Sequence, residues 1–207
     1  SSKDELKKLL PTIKLLKNTF KEIILSIDTF WSNTAKACIL EGADMINDIS
    51  AGNIDKDIFK VIAKYNVPYI IMHMKGTPKN MQDKPEYNNV VDEIIEYFIE
   101  KITTLNNIGI KKIIIDPGFG FGKTINHNFK ILNNLDKLKH LKCPILVGVS
   151  RKSMIYNLLK TTPHKALNGT SVLNTIALGK GANVLRVHDV KEAIECIKIS
   201  TFAKNNF

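Results

Sequence analysis

The sequence predicts an α/β protein built on a parallel sheet, and three observations carry that prediction. Short apolar runs rich in Ile and Val alternate with amphipathic runs of helical period along the whole chain. The short runs are mostly apolar at consecutive positions, as in strands covered on both faces. Each of them ends in a polar or charged side chain. The first two observations fit an open doubly wound sheet and a (β/α)8 barrel equally. The third favours the barrel, which brings all C-terminal strand ends round one mouth, whereas an open sheet gathers its site at one switch point.

A helix opens the chain. Ser2 and Glu5 have capping-box spacing, and Leu6, Leu9, Leu10, Ile13 and Leu16 follow at helical spacing. "EIILSID" is the first strand, ending at Asp28, and "SNTAKACILEG" is a helix stopped at Gly42. "MINDI" is a short strand carrying Asn47, and "DKDIFKVIAKYN" is a helix. "PYIIMHM" is a strand with Met72 and His73 near its end, followed by the long amphipathic helix "NVVDEIIEYFIEKITTLNNIG". "KKIIID" is a strand ending on Asp116, and "NHNFKILNNLDKL" is a helix. "PILVGVS" is a strand that runs into Ser150, Arg151 and Lys152, followed by helical stretches at "KSMIYNLLK" and "HKALNGTSVLNTIALGKG". "NVLRVH" is the sixth strand, and the last helix starts at Val190, with Asp189 and Glu192 at capping spacing. No internal boundary appears, so residues 1–207 are expected to form one domain. Six strands are two short of a closed barrel, and 207 residues fall below the roughly 250 typical of one.

Composition narrows the class. Cys38, Cys143 and Cys196 are odd in number and far apart, which reads as free thiols in a reducing, cytoplasmic setting with no metal clip. No apolar run approaches membrane-spanning length. The N-terminus "SSKDELKKLL" is polar, carries no signal peptide and lacks an initiator Met, as expected of a piece of a longer product. The net charge of +10 would suit a nucleic-acid binder, but the lysines are scattered through every segment without a basic arm or aromatic interleaving. No nucleic-acid partner is expected. Of the 30 basic side chains, only Arg151 and Arg186 are arginine, and both lie beside or inside apolar strand-like runs. There a planar, permanently charged fork has a use that a lysine does not meet.

"IIIDPGFGFGKT" invites a nucleotide-binding reading and fails it. Pro117 stands where a Walker A motif needs its first Gly, and Gly118, Gly120 and Gly122 alternate strictly, which does not match Gly-x-Gly-x-x-Gly. What remains is Asp116 at the end of an Ile run, followed by a loop able to adopt unusual dihedrals. Asp28 and Asn47 end apolar runs in the same way. A carboxylate accepts parallel N–H bonds and an amide both donates and accepts, which suits a flat heterocycle with amino and lactam edges. Ser150, Arg151, Lys152, Arg186 and His188 put hydroxyls and cations at the last two strand ends, where (β/α)8 barrels frequently hold phosphate. Arg186 and His188 are expected on one face of a buried strand, roughly 6.6 Å apart. His73 is either a site residue or a satisfied strand-end histidine, and His127, His140 and His164 are expected at the surface.

With all six strand ends in view, the sequence resembles the dihydropteroate synthase family. The matching stretches are "SIDTF", "INDIS", "MHMKGTPKNMQ", "IIIDPGFGFGK", "LVGVSRKS" and "RVHDV", in family order and spacing over the whole chain. The resemblance implies a (β/α)8 barrel of which strands 3–8 are present, with the first two β/α units and their motifs outside this chain. It implies transfer of a dihydropterin-methyl group from its pyrophosphate ester to p-aminobenzoate, with release of pyrophosphate, in folate synthesis. It assigns Asp28, Asn47, Met72, Asp116, Gly148 and Lys152 to the pterin, Arg186 and His188 to the pyrophosphate, and Phe121, Ser150 and Arg151 to p-aminobenzoate. Asp28, Lys152 and Arg186 are the catalytic candidates, with Asp28 stabilising positive charge on the reacting methylene. The resemblance further implies Mg2+, sulfonamides as competitors and a homodimer. The rival reading is a non-catalytic pterin-binding module or a pterin-dependent methyl-transfer domain of the same barrel type. It has no use for "SRKS" and "RVHDV", because a methyl-carrying pterin has no pyrophosphate to hold.

Overall fold

The structure is a computed structural model and describes residues 2–77, 81 and 83–205. Pro78, Lys79, Asn80 and Gln82 of "MHMKGTPKNMQ" lie outside the described residues. Alternation of strand and helix holds throughout, and every strand pairing among the described residues is parallel. The chain divides into two units, residues 1–72 with 99–114 and residues 73–98 with 115–207.

The first unit carries α1 (Ser2–Thr19), β1 (Ser26–Asp28), α2 (Ser32–Leu40), β2 (Met45–Asp48), α3 (Ile58–Tyr65) and β3 (Tyr69–Met72). It also holds part of α4 (Val90–Asn107) and the first half of β4 (Ile113–Asp116). The sheet order β1-β2-β3-β4 follows the chain order, so α2, α3 and α4 are crossovers between neighbouring strands. Register sets Ile27 opposite Ile46 and Asp28 opposite Asn47. The Tyr69 amide donates to the Lys112 carbonyl at 2.8 Å. Ile46, Tyr69 and Ile71 are fully buried, and Ala35, Cys38, Ile58, Ile62 and Leu105 cover them from the helices. Asp48, also fully buried, accepts from the Ser50 amide and hydroxyl, the Gly52 amide and the Tyr69 hydroxyl at 2.6–2.8 Å. Four donors on one carboxylate are what make its burial tolerable.

The second unit carries the rest of α4 and β4, α5 (Ile125–Asn133), β5 (Leu146–Val147), α6 (Ser153–Tyr156), α7 (Leu167–Lys180), β6 (Val184–Leu185) and α8 (Val190–Asn205). Short 3-10 turns occupy Leu135–Leu141 and Pro163–Lys165. Ile115 bridges to Ile145 in parallel, and β5 pairs with β6 through Leu146↔Val184 and Val147↔Leu185. Ile115, Ile131, Leu135, Ile145, Val147 and Ala177 are sealed in its core.

Several expected elements are shorter in the structure. "EIILSID" is strand only over Ser26–Asp28. The helix expected over 126–138 breaks at Asn134, and "KSMIYNLLK" is a single turn. The sixth strand stops at Leu185, so Arg186 and His188 follow it, and both are exposed. Val184 is itself 38% exposed, so the expected burial of this strand is overturned. The reason is position: β6 has only β5 as its partner in a two-stranded sheet. The capping box expected at Ser2 is also replaced. Ser2 already lies inside α1, and Glu5 accepts the Thr29 hydroxyl at 2.8 Å. No disulfide pairs Cys38, Cys143 or Cys196. No helix among the described residues is long and apolar enough to cross a membrane.

Candidate active site

In the first unit the strand ends put Asp28 and Asn47 side by side. Their register pairing lets the Asn47 side-chain amide donate to the Asp28 carboxylate, with Asp28 exposed and Asn47 buried. Met72 ends β3 and is 2% exposed. This is a carboxylate held in orientation by an amide.

In the second unit Asp116 ends β4 and is 8% exposed. Burial, the largest influence, pushes its carboxyl above the usual carboxylate range. Lys152, the Gly118 amide, Lys123 and Arg186 all pull it back down. The Gly118 amide donates to it at 2.7 Å. The loop beyond is held almost atom by atom. The Gly120 amide donates to Asn128 Oδ1 at 2.8 Å, Lys152 Nζ to the Phe119 carbonyl at 2.5 Å, and Lys123 Nζ to the Phe121 carbonyl at 2.9 Å. The Tyr87 hydroxyl donates to the Gly122 carbonyl at 2.8 Å. Gly122 has φ +62°, and a Cβ there would meet the Lys75 carbonyl oxygen at 2.6 Å, so this position needs glycine twice over. The Phe121 ring lies under Lys152 Nζ, 4.8 Å from its centroid.

Past β5, Ser150 is buried and bound to His188 twice. Its Oγ is 2.9 Å from His188 Nδ1 and accepts from the His188 amide at 3.2 Å. Where the Ser150 hydroxyl donates to Nδ1, the ring proton sits on Nε2, and His188 can then donate toward an anion. Lys152 is drawn down from the usual lysine range, first by burial, with Asp116 opposing and Arg186 reinforcing. A Cβ built on Gly148 would stand 3.8 Å from Arg186 Cβ and 3.9 Å from Lys152 Nζ, so glycine keeps open the space beside both cations.

Arg151 departs from a simple mouth residue. Its Nε and Nη2 fork onto Asp189 at 2.8 and 2.7 Å, and Nη1 donates to the Pro163 and His164 carbonyls at 3.0 and 2.9 Å. The bidentate use expected of an arginine is present, but its target is the protein itself. Asp189, expected as a helix cap, spends its carboxylate on this fork. Arg151 also has φ +53°, which turns the chain sharply between β5 and α6.

His73 resolves as a buried strand-end residue, 7% exposed, with Nδ1 3.0 Å from Lys123 Nζ. Burial first, then Lys123, pushes its pKa down to about 3, so it is neutral. Of the other histidines, His140 and His164 are exposed, while His127 is half-buried, closes a capping box with Thr124 and meets Tyr87 edge-on. Sequence reasoning missed Lys123, Tyr87 and Asp48 as functional supports. The one available signal was a lysine closing the strictly alternating glycine run. Among the described residues no group of three or more His, Cys, Asp or Glu is placed to hold a metal.

The model of the family described as pterin binding enzyme matches residues 1–188. The chain belongs to the pterin binding enzyme family. Its relatives within that family are dihydropteroate synthases, and they make the chain a transferase of that kind. It is 38% identical over 201 residues to the dihydropteroate synthase of Escherichia coli strain K12, covering 96% of this chain and 71% of that one. The crystal structure of Yersinia pestis dihydropteroate synthase in a sulfonamide drug complex superposes with a TM-score of 0.96 at 36% identity, covering 100% of this chain and 76% of that one. The Xanthomonas albilineans dihydropteroate synthase with 4-aminobenzoic acid gives 0.91 at 33% identity, covering 99% and 73%. The α/β fold is of the barrel type those enzymes have.

Proposed function

We propose that the chain transfers a dihydropterin-methyl group from its pyrophosphate ester to the amine of p-aminobenzoate. The bond between the exocyclic methylene and the ester oxygen breaks, and its electron pair leaves on pyrophosphate. The amine lone pair forms the new C–N bond, and the amine gives up a proton. The observation that carries this reading is the arrangement of Lys152, Gly148, Arg186 and the Ser150–His188 pair at the ends of β5 and β6, where a polyanion can be received. Fixed cations there stabilise charge as it develops on the leaving group.

In the first unit Asp28, oriented by Asn47, is assigned to the pterin and to electrostatic stabilisation of the electron-poor methylene, with Met72 as an apolar contact. In the second unit Asp116, Gly148 and Lys152 are assigned to the pterin, and Arg186 and His188 to the pyrophosphate. Phe121 and Ser150 are assigned to p-aminobenzoate. Arg151 is assigned there through the loop geometry it holds, its fork being committed to Asp189. Sulfonamides are proposed as competitors for p-aminobenzoate, as the relative with a bound sulfonamide supports.

Mg2+ is proposed to accompany the pyrophosphate. Residues 1–207 are proposed as a single domain supplying strands 3–8 of a barrel, acting in the cytoplasm. A homodimer is proposed, supported by an apolar groove of about 320 Å³ lined by Phe129, Ile155, Leu158, Leu159, Val172 and Ile176. Titration calorimetry with pyrophosphate tests the functional reading. A synthase binds it and loses that binding on Arg186→Ala, whereas a pterin module of the methyl-transfer type gives no heat.

A further inference from the structure

Lys123 is 4% exposed and plays no part in the chemistry above, yet it is one of the few cations sealed inside the second unit. Its Nζ has three partners: the Phe121 carbonyl at 2.9 Å, His73 Nδ1 at 3.0 Å and the His73 carbonyl at 3.2 Å. An ammonium has three N–H donors, and here each has an acceptor. His73 must be the neutral tautomer with Nδ1 as acceptor, and it is held so. Tyr97 meets its ring edge-on at 5.0 Å, Tyr87 lies 6.2 Å away, and its own amide donates to the Asp116 carbonyl at 3.0 Å. One residue further along, the Tyr87 hydroxyl takes the Gly122 carbonyl, and Lys75 backbone closes the space over Gly122.

We propose that Lys123, backed by His73 and Tyr87, is a positioning residue that pins the loop from Asp116 to Lys123 and so fixes the ring of Phe121 for p-aminobenzoate. The substrate half of this inference rests on the assignment of Phe121 above. A loop with glycine at 118, 120 and 122, all at positive φ, has large backbone freedom to lose. The side-chain donors supply the order that its own sequence lacks. Burial, opposed by Asp116 and reinforced by Lys152, brings the Lys123 pKa to about 7, so the pin titrates near neutrality. The charged and titratable groups facing it are Asp116, Lys152 and His73, with Lys75 acting on His73.

The test is Lys123→Met, which keeps length and removes the donors, with Tyr87→Phe as a milder second variant that retains the ring. Hydrogen exchange of amides 116–124 is followed by mass spectrometry, together with steady-state kinetics of the whole protein. Loop exchange should rise about tenfold or more in Lys123→Met and less in Tyr87→Phe. The KM for p-aminobenzoate should rise about tenfold or more, with the pterin KM moving far less. In the wild type, loop protection corrected for intrinsic exchange should fall as pH rises through about 7, and Lys123→Met should lack that step. Wild-type loop exchange in both variants overturns the inference. Faster loop exchange with an unchanged p-aminobenzoate KM overturns its substrate half and the Phe121 assignment beneath it, while leaving the pyrophosphate reading untouched.

Discussion

The end of β4 and the end of β6 solve opposite problems with similar residue types. After β4, the segment from Asp116 to Lys123 is mostly buried, and the carbonyls of Phe119, Phe121 and Gly122 each accept from a side-chain donor. After β6, the strand has stopped at Leu185, and Arg186 and His188 are exposed. A flat aromatic ring is selected by shape, so the surface it meets must be ordered beforehand. A polyanion is drawn by charge over several ångströms and has to leave again as product, so its receptors gain from staying near solvent. Rigidity is placed where recognition depends on contact, and exposure where it depends on field.

Five substitutions, one of them the control for a pH experiment, test that contrast, beginning with the largest effect. Asp116→Ala removes a buried acceptor and leaves Lys123 and Lys152 without its compensating charge. Pterin binding measured by calorimetry should fall about 100-fold or more. Arg186→Lys keeps the charge and loses the fork, so kcat/KM should fall roughly 10- to 100-fold while the thermal midpoint stays put. A wild-type rate in that variant would show that a bare positive charge suffices after β6.

Gly122→Ala drives a Cβ toward the Lys75 carbonyl at a positive φ and should cost about 1–3 kcal/mol in urea denaturation. An unchanged midpoint would mean that the loop is looser than its hydrogen bonds imply. Acidification probes the same region. The pKa of His73 is about 3 in the folded protein and about 6.5 unfolded, so the unfolded chain binds more protons between those values. Stability should therefore rise with pH through that window and be lost as pH falls from about 6.5 towards about 3. Denaturation at several pH values should show this slope, and His73→Asn should flatten it. The smallest effect is expected from Asp189→Asn, which weakens the Arg151 fork and leaves its two carbonyl contacts in place. The thermal midpoint should drop slightly, with the difference shrinking in high salt.

Much of this was legible in the residues. The Ile run ending in Asp116, the polar ends at Asp28 and Asn47, and the scarcity of arginine all drew attention to positions that the structure places at or just past strand ends. Arg151 shows where that reading stops. Sequence marked it as a fork, but only the fold reveals that Asp189 occupies it. Arg186 shows the reverse: its strand was expected to be buried, yet the pairing ends at Leu185 and leaves it exposed. Lys123 was visible only as the last letter of a motif, because two of its three partners belong to His73, which is distant in sequence and packs against it.

The sequence by itself determined the order of strands and helices, the parallel pairing and the polar residues at or shortly after the strand ends. Those properties follow from hydrophobic period and local turn chemistry, which act over a few residues at a time. Tertiary structure alone decided which strand ends are sealed and which stay open, which cation is spent on the protein, and which lysine is buried against a neutral histidine. Burial and hydrogen-bond partnership depend on residues that fold together from distant parts of the chain, and a side chain's charge and role are set by those neighbours.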